Sequence, residues 1–239
     1  GGYDDNSGIG AFWVFQKSGT YSQYPDTSTK FVGTGYSGTP HQANSISISS
    51  DGSTIAIGGP DDNNLIGATW IFIKTGPSGY TQLQPKLVGT GYTGSISIFQ
   101  GNSVALSSDG TILAVGGYGD NSSIGAVWLF TRTGSFGTSY VQLCPKIVGT
   151  GVSGSISYQG FSVALSSNGS ILAVGGYKDN LDSLMGATWL FARSSGSSGS
   201  TGSSYTQIQK LVGTGNIAGP SQSFSIALSS DGTYLASGA

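Results

Sequence analysis

Near-copies of one stretch constrain this chain more than any single residue does. Residues 55–72 read IAIGGPDDNNLIGATWIF, residues 113–130 LAVGGYGDNSSIGAVWLF, and residues 172–191 LAVGGYKDNLDSLMGATWLF. Three independent markers set the period. Trp13, Trp70, Trp128 and Trp189 are spaced by 57, 58 and 61 residues. Asp51, Asp109, Asn168 and Asp231, each followed by Gly, are spaced by 58, 59 and 63. The Lys-x-Val-Gly-Thr-Gly segments that start at Lys30, Lys86, Lys146 and Lys210 are spaced by 56, 60 and 64. All three give four units of about 60 residues, approximately 1–59, 60–117, 118–176 and 177–239, in a single domain over 1–239. A fixed period of this size marks a repeat fold, in which each unit buries its apolar faces against its neighbours. The last unit is longest because it carries SSGSSGSTGSS at 194–204, a flexible Gly/Ser loop insertion.

Each unit holds four strand candidates. In the second they are GATWIFIK from Gly67, YTQLQPKLVG from Tyr80, NSVALSS from Asn102 and TILAVGG from Thr111, separated by Gly, Pro, Asp or Asn. The Asp-Gly dipeptide joins the third to the fourth, as a tight hairpin needing positive φ favours. In the first strand Ala68, Trp70 and Phe72 fall on one face and Thr69, Ile71 and Ile73 on the other, so both faces can meet apolar neighbours. Four short strands per unit, sandwiched between neighbouring units, is the stoichiometry of a propeller blade. The expectation is therefore an all-β propeller of four repeats of four antiparallel strands, either a closed four-blade ring or part of a larger one. Each Trp follows Gly-Ala-x and precedes x-Phe, and is expected to lie buried between blades, one per blade. Only 8% of the residues are charged, with 41 Gly and 7 Pro, which fits a turn-dense chain; the 37% apolar share is too high for a disordered one.

The segment FQGNSVALSSDGTILAVGGYGDN at 99–121, followed by GAVWLF, resembles the FG-GAP repeat, the blade unit of the integrin α-subunit head and of many secreted surface proteins. The resemblance covers all four units, and LSSDGTILAVG is also similar to the Asp-Gly hairpin of WD40-type and YVTN-type propellers. It implies a propeller, usually of seven blades, outside the cell or on its surface. The first unit departs most, since HQANSISISS lacks the aromatic found at Phe99 or Phe161. The calcium loop common in that family, Asp-x-Asp-x-Asp-Gly-x-x-Asp, is missing. SSDGT or SSNGS stands in its place, and one carboxylate cannot supply the 6–8 oxygens that Ca²⁺ takes. The only other metal candidates are Asp5, Asp62, Asp120 and Asp179 of the repeated Asp-Asn turn, where Asp and Asn commonly bond their own backbone. The expectation is a chain that needs no cofactor and folds without calcium.

The remaining residues narrow the function. Eight of the nine basic residues recur once per unit, leaving Lys178 as the extra, and the net charge is −2. There is no basic stripe to neutralise phosphates, so nucleic acid is not an expected partner. No stretch approaches the roughly 18 apolar residues of a membrane-spanning helix. His41 is the sole His, adjacent Asp pairs such as Asp4-Asp5 and Asp61-Asp62 seldom face one atom together, and no phosphate-binding loop is present, so a non-enzyme is expected and a propeller hydrolase is a distant alternative. Cys144 stands alone where Gln84 stands one unit earlier, and reads as a free thiol or an intermolecular link. Asn121 and Asn168 open Asn-x-Ser sequons in turns, which fits secretion. The chain opens on Gly1-Gly2, as expected of a processed product or of part of a longer repeat chain. Two functions follow as expectations. One is an extracellular or cell-surface adhesion module gripping protein or glycan through loops, with Tyr3, Tyr36, Tyr92, Tyr118 and Tyr177 as contacts, since Tyr offers amphipathic area at low entropy cost. The other is a self-associating structural subunit of a filament, sheath or matrix.

Overall fold

The Asp-Gly hairpins and the aromatic strands form the frame. In the computed structural model, residues 1–17, 28–76, 79–94, 97–134, 138–179, 185–194, 203–215, 219 and 221–239 are described. Asn180 and most of the Gly/Ser insertion at 194–204 lie outside them. The strands are β1 Phe12–Val14, β2 Thr29–Phe31, β3 Ser45–Ile48, β4 Thr54–Gly59, β5 Ala68–Lys74, β6 Tyr80–Gln82, β7 Ser103–Leu106, β8 Ile112–Gly117, β9 Ala126–Thr133, β10 Ser139–Gln142, β11 Ser162–Leu165, β12 Ile171–Gly176, β13 Ala187–Arg193, β14 Tyr205–Leu211, β15 Ser225–Leu228 and β16 Leu235–Gly238. They pair antiparallel into three four-stranded sheets, β3-β4-β5-β6, β7-β8-β9-β10 and β11-β12-β13-β14, flanked by two half-sheets, β1-β2 and β15-β16. Each sheet joins the last two strands of one sequence unit to the first two of the next.

Register repeats with the sequence. Val115 faces Trp128 and Gly117 faces Ala126, as Ile57 faces Trp70 and Gly59 faces Ala68. The hairpins turn on Gly52, Gly110, Gly169 and Gly232, all at φ between 65° and 75°. The second and third strands of a sheet are buried on both faces, as the double-sided apolar pattern requires; β8 is buried throughout. The candidate strand from Tyr80 is shorter than its sequence suggests. β6 ends at Gln82, with Leu83 N–H still donating to Ile71 O at 2.8 Å; Pro85 has no N–H to offer, and beyond it Leu87 rejoins the sheet opposite Thr69. The last unit lacks that Pro, so β14 runs unbroken to Leu211, at the cost of an irregularity at Leu190/Phe191.

Identical contacts close each seam between successive sheets. Trp70, Trp128 and Trp189 are fully buried, and their Nε1 atoms donate to the Thr34, Thr90 and Thr150 carbonyls of the preceding unit at 2.8 Å. The indole lies flat on the Gly before that Thr: a Cβ built on Gly33, Gly89 or Gly149 would fall 2.4, 2.1 or 2.3 Å from Trp Cδ1. A buried glutamine completes the Val-Gly-Thr-Gly segment. Gly89 N–H donates to Gln100 Oε1 at 2.6 Å and Gln100 Nε2 returns a bond to Gly89 O at 2.9 Å, so the amide acts as a one-residue strand; Gln42 and Gln159 do the same at Gly33 and Gly149. At the hairpin tips, Ser50 N–H donates to Ser108 O, Ser108 to Ser167 and Ser167 to Ser230, at 2.8–2.9 Å.

The array is open among the described residues. β16 pairs only with β15 and β1 only with β2. This corrects one expectation at the end of the array: Trp13, unlike its three equivalents, is only half-buried, because no preceding sheet covers it.

Candidate functional site

One rim of the array gathers the unusual backbone. After the Gly-Gly that ends β4 or β8 the chain makes a one-turn helical segment, Asp62–Leu65 or Asp120–Ser123, and Asp5–Gly8 matches them in the first unit. Three successive residues in each have positive φ: Asn63, Asn64 and Leu65 at 50°, 55° and 66°, and Asn121, Ser122 and Ser123 at 53°, 55° and 71°. Short polar side chains occupy this region most readily. The Asp that opens the turn is locked from two sides. Oδ1 of Asp62, Asp120 and Asp179 accepts from the backbone N–H of Ser37, Thr93 and Ser153, at 2.7, 2.6 and 2.9 Å. Their Oδ2 atoms meet Lys86, Lys146 and Lys210 Nζ at 2.5, 2.5 and 2.6 Å, and Asp5 meets Lys30 in the same way. The four carboxylates weighed as metal ligands therefore each hold a lysine ammonium, which a metal ion would have to displace. Among the described residues no three His, Cys, Asp or Glu side chains converge.

Beside these turns a stapled bend carries aromatic rings. Leu65 O accepts from the N–H groups of both Ile98 and Phe99 at 2.9 Å, and Ser123 O from those of Ser157 and Tyr158 at 3.1 and 3.0 Å. So held, Phe99 and Tyr158 keep φ near 60°, an uncommon state for bulky residues that concentrates at binding sites. Phe99 stacks on Tyr118, centroids 4.7 Å apart and planes 6° apart. Tyr118 meets Tyr158 and Phe161 at 5.3 and 5.5 Å; Tyr177 meets Tyr158, Phe161 and Phe224 at 5.4, 4.6 and 5.3 Å. The result is a continuous row of rings across three sequence units. Phe99, Tyr118 and Tyr158 share a cavity of about 480 Å³ with the hydroxyls of Thr93, Ser97, Ser122 and Ser123, and its lining carries no charge. Burial, reinforced by Tyr177, pushes the Tyr118 hydroxyl up to about 12, so it remains a neutral hydrogen-bonding group at ordinary pH.

Of the tyrosines singled out from sequence, Tyr118 and Tyr177 join this row. Tyr3, half-exposed, holds the equivalent place in the first unit and sits edge-on to His41, centroids 5.9 Å apart. Tyr36 is exposed and makes no ring contact among the described residues, whereas Tyr92 packs against the core around Trp128 and Phe130. Tyr158 and Phe224 were not singled out; the available signal was that Tyr158 precedes Gln159 as Phe99 precedes Gln100. Asn121 is exposed beside the cavity, and Asn168 is exposed with its Oδ1 accepting from Ser170 N–H at 2.9 Å. Cys144 is half-buried against the core, which raises its thiol above the ordinary range. His41 takes the place of Phe99 and Tyr158 in the first unit, with Nδ1 on the Asp61 carboxylate and Nε2 3.5 Å from Asp4. The adjacent Asp pairs are split: Asp4 and Asp61 face His41, while Asp5 and Asp62 face lysines. No hydroxyl or thiol hydrogen-bonds that imidazole among the described residues.

No family model matches the chain, and no curated protein matches it. Among solved structures it is similar to Saccharomyces cerevisiae Sqt1, at 13% identity and a TM-score of 0.42, over 71% of this chain and 35% of that one. The chain thus spans about a third of the length of that structure. No helix is long and apolar enough to cross a membrane among the described residues.

Proposed function

We propose that this chain is a propeller-type binding module of FG-GAP-like repeats that acts without catalysis, at the cell surface or outside the cell, and grips a glycan or protein partner with its aromatic rim. The row of rings from Phe99 to Phe224 carries the proposal. Left-handed backbone costs a non-glycine residue about 1–2 kcal/mol, and the fold accepts that cost at three equivalent ring-bearing positions on the same rim, His41, Phe99 and Tyr158. Ring faces beside neutral hydroxyls suit the alternating C–H and O–H surface of a sugar, or an aromatic side chain of a protein. The uncharged lining and the net charge of −2 argue against nucleic acid. Asn121 at the cavity edge offers a glycan attachment point compatible with an extracellular setting.

An array of neutral oligosaccharides screened with the 239-residue chain, its strongest hit carried to calorimetry, tests this. Tyr158→Ala is expected to weaken binding about tenfold or more, the loss of one ring contact from a well-packed site. Binding unchanged by Tyr158→Ala removes the rim as the site, and an array with no hit moves the partner from glycan to protein.

A further inference from the structure

Because the units are near-copies, positions that change chemical class from one unit to the next stand out, and two of them fall on the aromatic rim. The residue before the locked Asp is Asp4, Asp61, Gly119 and Lys178 in successive units. The residue before the glutamine that closes the Val-Gly-Thr-Gly segment is His41, Phe99, Tyr158 and Ser221, all held at φ between 46° and 60°. The backbone is fixed there while the side chain differs, so these side chains serve something other than the fold. In the first two units the variable groups satisfy one another, since His41 lies between Asp61 and Asp4. Lys178 has no such arrangement. Its N–H donates to Ser157 O at 3.2 Å, as Gly119 N–H donates to Ile98 O at the cavity, so it takes the place of Gly119 one unit further along the row. Half-buried, it holds its ammonium 5.2 Å from the centre of the Tyr177 ring and pairs with no carboxylate among the described residues. The neighbouring Asp179 is already engaged by Lys210 and by Ser153 N–H.

We infer that the rim takes a saccharide bearing one isolated acidic group, a carboxylate or a sulfate, which pairs with Lys178 while Tyr158 and Tyr177 stack on the neutral sugar rings beside it. This rests on the rim being the binding face and adds the class of sugar that it selects. The spacing is continuous: Tyr158 lines the cavity, its ring centre lies 5.4 Å from that of Tyr177, and the Lys178 ammonium lies 5.2 Å beyond. The charge is single. Lys86, Lys146 and Lys210, the other ammonium groups of these turns, are each neutralised by an aspartate, so a polyanion finds no second free cation among them. The row is also directional, with Asp4 and Asp61 on the first two units and Lys178 on the fourth, which turns an anion toward the Tyr177 end. Resting over the Tyr177 ring, the ammonium is already placed, so little side-chain freedom is lost when the acid binds.

A glycan array of matched sets tests it, each oligosaccharide present in a neutral form, with one uronate or one sulfate, and acidic on every unit. By calorimetry, a singly acidic member is expected to bind the 239-residue chain about threefold to tenfold more tightly than its methyl-esterified or desulfated counterpart, the span from an exposed ion pair to a charge-assisted hydrogen bond. Lys178→Met is expected to bring the acidic member down to its counterpart's affinity, and Lys178→Arg to keep the preference; the uronate and sulfate sets tell which anion is read. Lys178→Met should melt with the parent, because among the described residues only the Tyr177 ring meets its ammonium. A neutral member that binds as tightly as its acidic counterpart overturns the inference and leaves the rim as the site. A preference that survives Lys178→Met, or a fully acidic member that binds more tightly than the singly acidic one, does the same. Binding indifferent to Tyr158→Ala, or an array without a hit, removes the rim as a sugar site and the inference with it.

Discussion

The hairpin aspartates illustrate how one side-chain oxygen can shape a turn. Asp51 Oδ1 accepts from Ser49 Oγ at 2.6 Å and Ser53 N–H at 2.9 Å, and Asp231 Oδ1 accepts from Ser229 Oγ and Thr233 N–H at 2.6 and 3.0 Å. The serine hydroxyl, then the backbone N–H, hold both carboxyls down at about 2, against about 3.9 for a free Asp. A depressed folded-state pKa gives stability that is present above the unfolded value and lost as pH falls through the folded one. The loss should therefore fall between about pH 4 and pH 2. Asn168 accepts the same two bonds without a charge, 3.0 Å from Ser166 Oγ and 2.9 Å from Ser170 N–H. The double variant Asp51→Asn, Asp231→Asn, which keeps the two bonds but not the charge, is accordingly expected to melt below the parent at pH 7 and to lose less on acidification across that window. Thermal melts at stepped pH check this, and an acid limb as steep as the parent's would rule it out.

At the scale of the element, a seam is a strand-borne indole laid on a bare backbone. Gly89→Ala puts a methyl group 2.1 Å from Trp128 Cδ1, where neither the fully buried ring nor the strand can give way, and overpacking of this kind costs about 1–3 kcal/mol. Gly91, two residues on, meets nothing within 4 Å, so Gly91→Ala carries only the strain of φ 76°, about 1 kcal/mol. Urea unfolding of the two variants should rank Gly89→Ala as the worse, with a change in tryptophan fluorescence for it alone; equal losses would mean that the indole is not the seam's fixed element. Strand number, hairpins and the double-sided burial of Ala68–Phe72 were all legible in the sequence, because a period of two and a turn dipeptide are local properties. The Gln100 clamp and the Asp120–Lys146 pair were not, although each of those residues recurs once per unit. Periodicity says that a residue has a fixed job and leaves its partner unnamed, because the partner lies 11 or 26 positions away and is chosen by packing. The rim was legible only in part: Tyr118 and Tyr177 stood out, but the bend that aims Tyr158 at them depends on a carbonyl of the preceding turn.

For the molecule as a whole, stability is a sum of seams, and the seams are unevenly distributed. The β7–β10 sheet has a neighbour on each side, while β1-β2 and β15-β16 have one each. In a chain whose units touch only their neighbours, the ends open first. Hydrogen exchange on dilute protein is expected to label β16 and β1 well before β8 and β9, and uniform protection along the chain would show a closed ring in solution. The glutamine clamp has a consequence for the length of such a chain. Gln100 reaches back only 11 residues to Gly89, and each indole reaches only into the unit before it, so no seam depends on how many others exist. A gene that gained or lost one unit at the Gly-Gly after β8 would encode a protein with one seam more or fewer and every surviving contact intact, which makes copy number the easiest property of this architecture to change.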